Sequence, residues 1–162
     1  MGYVPSAWGS FGEALAAVAG ALTGLLFVAL SVKGTALSKS RALTSRAAQT
    51  LVLFMTSVLS ALVLVAPQPA TTVGSELLAL AVLAGVALLI LDRRAGQARE
   101  PGVARFIERY SPNTITAILV GIAGVTLIVR TGGGLYWLIP AVAASLIGGV
   151  ISAWLFLVRL AS

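Results

Sequence analysis

Four polar residues recur along one side of a single apolar segment: Ser45, Gln49, Thr56 and Ser60. At 100° per residue in an α-helix they fall within about 40° of one direction. Leu51, Phe54, Val58 and Leu62 occupy the other side. Polar groups at membrane depth must face protein or a water-filled cavity, so the stripe is a candidate lining for a path across the membrane. The alternative is hydrogen bonding between helices, each contact contributing about 0.6 kcal/mol.

A second constellation is charged. Glu13 and Glu76 each lie near the start of an apolar segment, and Arg130 lies at the end of another. If those three ends share one side of a membrane, two carboxylates and a guanidinium occupy one layer. That layer would serve as a cation-attracting mouth or hold a proton-binding carboxylate. Helix dipoles and snorkelling at span ends account for the same charges without any ligand.

Much other chemistry is excluded by what is missing. The sequence has no His and no Cys. Imidazole and thiolate metal sites, disulfides, Cys nucleophiles and a Ser-His-Asp triad are therefore out of reach. No catalytic residue, metal ligand or cofactor-binding motif is found, and the chain is not expected to be an enzyme.

The elements that must position these residues follow from the composition. Of 162 residues, 59% are hydrophobic and only 10% charged, with a mean hydropathy of +1.02. A soluble domain would carry about a quarter charged residues. Apolar stretches separated by short charged intervals predict an all-α polytopic membrane protein, a single membrane domain of five transmembrane helices at 11–32, 44–66, 73–91, 112–130 and 135–159. Ser10 and Glu13 have capping-box spacing at the first start, and Ser111-Pro112 places proline at a first helical position. Residues 131–134, Thr-Gly-Gly-Gly, predict a flexible turn between the last two spans.

Loop charges orient the bundle. Lys33, Lys39, Arg41, Arg46, Arg93, Arg94, Arg99, Arg105, Arg109 and Arg159 fall on one side, and Arg130 alone falls on the other. Basic residues accumulate on the cytoplasmic side, which predicts N-out, C-in. A net charge of +6 then reads as attraction to anionic lipids at the cytoplasmic face, not to nucleic acid. Between spans three and four, Val103, Phe106, Ile107 and Tyr110 recur with helical spacing, predicting a short amphipathic interfacial helix over 102–110.

Small residues mark where helices could approach closely. Gly20 and Gly24 are four apart in span one, Gly85 follows Ala81 in span three, and Gly148 and Gly149 sit in parallel small-residue rows in span five. Such faces pack by van der Waals contact, and they point to a homo-oligomer.

Residues 21–32, Ala-Leu-Thr-Gly-Leu-Leu-Phe-Val-Ala-Leu-Ser-Val, precede a basic loop and Arg46-Ala47-Ala48. This stretch resembles small multi-span integral membrane proteins of high-GC, actinobacterial-type genomes. The resemblance covers about the first 65 residues, implies a bacterial plasma membrane, and transfers no functional residue. The expectation is a small oligomeric channel or transporter for cations or protons. The alternative is a non-transport accessory, sensory or scaffold protein that meets anionic lipid or a partner through its basic face.

Overall fold

Long runs of Ala, Leu and Val leave a chain few ways to satisfy its backbone without water, and the helix is the simplest of them. In the computed structural model, which describes residues 2–32, 41–96 and 112–161, all regular elements are helical. A 3₁₀ turn, Pro5–Trp8, leads into α1 (Gly9–Val32). Then come α2 (Arg41–Val65), α3 (Ala70–Gly96) and α4 (Pro112–Val129). A second 3₁₀ turn, Gly134–Trp137, opens α5 (Leu138–Ala161). The interfacial helix expected over 102–110 lies outside the described residues, as do Lys33, Lys39, Arg99, Arg105 and Arg109.

Several helix boundaries depart from expectation, the first of them for a local reason. Pro5 sits in the first turn of the N-terminal 3₁₀ segment, where its fixed φ favours helical backbone and its missing N–H costs little. The helical path therefore begins before Ser10, which lies inside α1 and cannot cap it. The capping box is not formed. α3 extends beyond both ends of 73–91, from Ala70 to Gly96. Pro112 opens α4 as its sequence position predicts.

α2 is the hub. It packs against α1, α3 and α5, while α4 closes the far side by packing on α3 and α5. Successive helices run antiparallel. Gly12 near the start of α1 meets Ala61, Leu64 and Val65 near the end of α2. Gly74 near the start of α3 meets Gly124 and Ile128 near the end of α4. One end of the bundle thus gathers the N-terminal turn, the prolines at 67 and 69, and residues 130–137. The other end carries Arg46, Asp92, Arg93 and Arg94. A core of Trp8, Leu64, Val73, Leu77, Leu127, Leu135 and Leu138 lies toward the first, proline-bearing end.

α3 and α4 touch through backbone. A Cβ added at Gly124 would lie 2.7 Å from the Gly74 carbonyl oxygen and 2.9 Å from the Leu78 nitrogen. A Cβ at Gly74 would lie 2.9 Å from the Gly124 carbonyl oxygen. Glycine at both positions lets the two helices approach more closely than any side chain would allow.

The turn after α4 is pinned. Arg130 adopts a left-handed conformation (φ 56°), and the Thr131 N–H donates to the Thr126 carbonyl at 3.2 Å, a Schellman-type helix ending. Gly132, Gly133 and Gly134 all have positive φ (79°, 111° and 59°), which explains three glycines in succession. The chain's own N-terminus holds this turn from above. The Leu135 N–H donates to the Gly2 carbonyl at 2.8 Å, and the Gly133 N–H donates to the Tyr3 hydroxyl at 2.9 Å. Trp8 stacks edge-on against Phe11 and Tyr136. The flexible turn expected from the glycine run is instead a fixed clasp.

The sides of the bundle are apolar. Leu25, Phe27, Leu83 and Ile147 are all more than 60% exposed, far beyond the scattered apolar residues of a soluble surface. Four helical segments are long and apolar enough to cross a membrane: Pro5–Val32, Thr44–Val65, Ala70–Arg94 and Gly134–Trp154. The apolar stretch Thr114–Val129 is shorter. All of α4 spans 18 residues, about 27 Å at 1.5 Å per residue.

Candidate functional site

The polar stripe of α2 does not line an open face. Because α2 is the central helix, its polar and apolar sides both meet protein. Phe54, on the side opposite the stripe, is 1% exposed, and Val58 packs in the contact with α1. Of that apolar side, Leu62 is exposed.

Each stripe residue has its own surroundings. Ser45 is buried. Gln49 is half-buried, and its Nε2 donates to Asp92 Oδ1 of α3. Thr56 is 4% exposed, and its Oγ1 donates to the Val52 carbonyl of its own helix at 2.7 Å. Thr50 bonds in the same way to the Arg46 carbonyl. A threonine that bonds back to its own helix needs no water. Ser60 is 1% exposed and its Oγ has no hydrogen-bond partner.

A buried polar contact between α2 and α5 involves two residues outside the stripe. Ser57 Oγ lies 2.9 Å from Ser145 Oγ of α5, and the Ser145 hydroxyl donates to the Leu53 carbonyl at 2.9 Å. Ser145 has one hydroxyl proton, so with that proton directed to Leu53 it is Ser57 that donates to Ser145. Both serines are at least 98% buried. Sequence spacing placed Ser145 in a small-residue row, but Ser57 stands about 60° away from the stripe and gave no separate signal. Removing either hydroxyl, in Ser57→Ala or Ser145→Ala, should cost about 0.6 kcal/mol and at most about 1.7 kcal/mol. Thermal melts of both single variants and the double variant should show that the costs do not add, because they share one bond. Strict additivity would mean the two hydroxyls act separately.

The charged residues share an end of the bundle without forming a cluster. Glu13 and Glu76 are exposed, on α1 and α3, and Arg130 is exposed after α4. Glu76 Oε2 accepts a hydrogen bond from Gln68 Nε2 at 2.6 Å, tying it to the α2–α3 connection. Among the described residues no ion pair joins Glu13, Glu76 and Arg130, and no group of His, Cys, Asp or Glu is arranged to hold a metal.

The glycines divide into two sets. Gly20 and Gly24 face open space, with no atom within 4 Å of an added Cβ. Gly85 makes ordinary contact with Ala117. Gly148 is buried, and Gly149 receives the Phe54 ring, whose Cζ would lie 2.8 Å from an added Cβ. Gly149 therefore serves packing within the chain. Small-residue spacing did not single out Gly74, although Ala70 stands four residues before it, or Gly124, whose neighbours four residues away are Val120 and Ile128.

Comparison with protein-family models, curated proteins and solved structures finds no match to this chain.

Proposed function

We propose that this chain is a five-span protein of a bacterial plasma membrane, N-terminus outside and C-terminus inside, that works without moving solute. It acts as an accessory or scaffold protein whose basic cytoplasmic end meets anionic lipid or a protein partner. The observation that carries this reading is the closed centre: Thr56 bonds to its own helix and Ser57 to α5, both at 4% exposure or less. A route for ions needs solvated polar groups, and these are buried between helices.

Other features support the same picture. The arginine-bearing end holds Arg46, Arg93 and Arg94, while the opposite end has Arg130 as its basic residue among those described. The open Gly20 and Gly24 face of α1 is the surface suited to a second copy. The channel or transporter for cations or protons stands as a second proposal, favoured by one observation. Ser60 Oγ, within the stripe, is buried without a partner, as a hydroxyl on an intermittently wetted path would be.

Flux separates the two. The purified full chain is placed in vesicles of phosphatidylcholine and phosphatidylglycerol, and potassium and proton flux are measured. The accessory reading expects no flux above empty-vesicle leakage, with Thr56→Leu lowering thermal stability only. Flux in the wild type that Thr56→Leu abolishes would overturn it. Orientation is checked on the same material with an impermeant thiol reagent. Thr71→Cys should label from outside, and Lys39→Cys should not; the reverse pattern would invert the bundle.

A further inference from the structure

α3 and α4 are in backbone contact at one end and separated at the other. Toward the proline-bearing end, Gly74 and Gly124 bring backbone against backbone. Toward the arginine-bearing end, a Cβ added at Gly121 would sit 3.6 Å from Ala81 Cβ, and one added at Gly85 would sit 3.8 Å from Ala117 Cβ, both ordinary contacts. These small residues leave a cavity of about 320 Å³ between the two helices. It runs from Leu78 to Asp92 along α3, fourteen residues or about 21 Å. Val82, Leu89 and Ile118, which line it, are all more than half exposed, so it opens sideways toward the surrounding hydrocarbon.

The end of this groove nearest the arginines is polar. Asp92 of α3 and Thr114, near the start of α4, line it there, and both are exposed. The other lining residues have no polar side-chain atom, and Asp92 is the one that carries charge. At 100° per residue, Arg93 and Arg94 stand about 100° and 200° further around α3, and neither lines the groove. What the groove offers at this end is hydrogen-bond acceptors. Asp92 already takes a hydrogen bond from Gln49 Nε2, and a carboxylate has two oxygens with room for several donors. The Thr114 hydroxyl accepts as well as donates.

We infer that this groove holds one acyl chain of an amine-headed phospholipid, of the phosphatidylethanolamine class, with its ammonium group on Asp92. The sideways opening admits a ligand from the bilayer. The long apolar lining suits a hydrocarbon chain and offers nothing to a polar solute. The carboxylate at its end favours a cationic head that still carries N–H donors, because charge-assisted hydrogen bonds are the stronger kind. A choline head has the same charge and no such donor. The ethanolamine head is zwitterionic, so it brings no net charge toward the arginines nearby. The inference rests on the membrane-spanning reading and is independent of whether the protein transports solute.

The probes are dioleoyl phosphatidylethanolamine, its N-methyl and N,N-dimethyl forms, and dioleoyl phosphatidylcholine. They share chains and charge and differ in the number of N–H donors. The full chain is purified in detergent and titrated with each lipid, and bound lipid per chain is counted by native mass spectrometry. The wild type should retain one phosphatidylethanolamine about tenfold more tightly than phosphatidylcholine, with the methylated forms ranked between them. Asp92→Asn should remove most of that preference. Gly121→Leu should reduce retention of all the probes together, because it fills the chain site and leaves the carboxylate alone. If Gly121→Leu does not fold, Ile118→Trp, at a position already exposed, tests the same occlusion. If Asp92→Asn does not fold, the ranking of the probes on the wild type carries the test.

Retention that survives both filling variants would overturn the groove as the site. Filling variants that dissociate a dimer while lipid counts stay constant would assign the groove to a second copy and overturn the lipid. Equal retention of phosphatidylethanolamine and phosphatidylcholine by the wild type would overturn the role of Asp92, as would a preference that survives Asp92→Asn. Release of the wild type from vesicles by an alkaline wash would instead overturn the membrane-spanning reading, so the two failures are distinguishable.

Discussion

Replacing Gly124 with alanine should destabilise the bundle sharply, while the same change at Gly121, three residues away on the same helix, should be neutral or stabilising. Both substitutions add one methyl group, and both gain up to about 1 kcal/mol of helix propensity. They differ in what the methyl meets. At Gly124 it meets the Gly74 carbonyl and the Leu78 backbone at under 3.0 Å, and backbone in a neighbouring helix cannot rotate aside. At Gly121 it meets a methyl at van der Waals distance. Overpacking typically costs 1–3 kcal/mol, so Gly124→Ala should lose up to about 2 kcal/mol after the propensity gain. Thermal unfolding of the two variants side by side in one detergent measures the difference. Matching midpoints would mean that α3 and α4 separate freely and that their contact does little to hold the fold.

The second large effect concerns Gly149 and Phe54. Phe54 is 1% exposed and its ring lies where a side chain at position 149 would begin. Gly149→Leu should therefore push α5 away from α2 and break the Ser57–Ser145 bond one turn along. Phe54→Ala should leave a void, and in lipid that void acts mainly through lost packing contacts, since the surrounding hydrocarbon is itself apolar. Each single change should cost about 2–4 kcal/mol on the scale of buried large-to-small and overpacking variants. Combined, they roughly conserve volume, so the double variant should be more stable than the sum of the two losses by about 0.5–3 kcal/mol. Simple additivity in melting experiments would show that the two residues do not share a space.

How these contacts appear in the sequence is instructive. Helix positions were legible because hydrophobic runs and charged breaks report directly on what can sit in hydrocarbon. Pro112 at the start of α4 and Pro140 in the first turn of α5 fit for the same local reason. Angular relations within one helix were legible too, since a period of 3.6 requires only one chain segment. What covers each face was not. The stripe of Ser45, Gln49, Thr56 and Ser60 is a real alignment, yet periodicity carries no information about the neighbour, and α2 has neighbours on three sides. Small-residue spacing failed in both directions. Gly20 and Gly24 match the pattern and touch nothing, while Gly124 matches none and meets the backbone of α3 at Gly74. A pair of single glycines on different helices becomes meaningful only once their register is known.

The clasp between the N-terminal turn and residues 133–136 bears on how the chain is made. Its two hydrogen bonds join positions 130 and 133 residues apart in the sequence. At a synthesis rate of about 5–20 residues per second, Tyr3 waits on the order of ten seconds for Gly133 to be translated. Throughout that interval Trp8 lacks Tyr136, the Gly2 carbonyl lacks its donor, and α1 is held by α2 alone. A chain that stops short of Gly133 can build the α1–α2 and α3–α4 pairs, whose contacts are local, but it cannot close this lock. The clasp therefore distinguishes a chain translated past Tyr136 from one arrested before Gly133, and it joins two segments that lie far apart in the sequence.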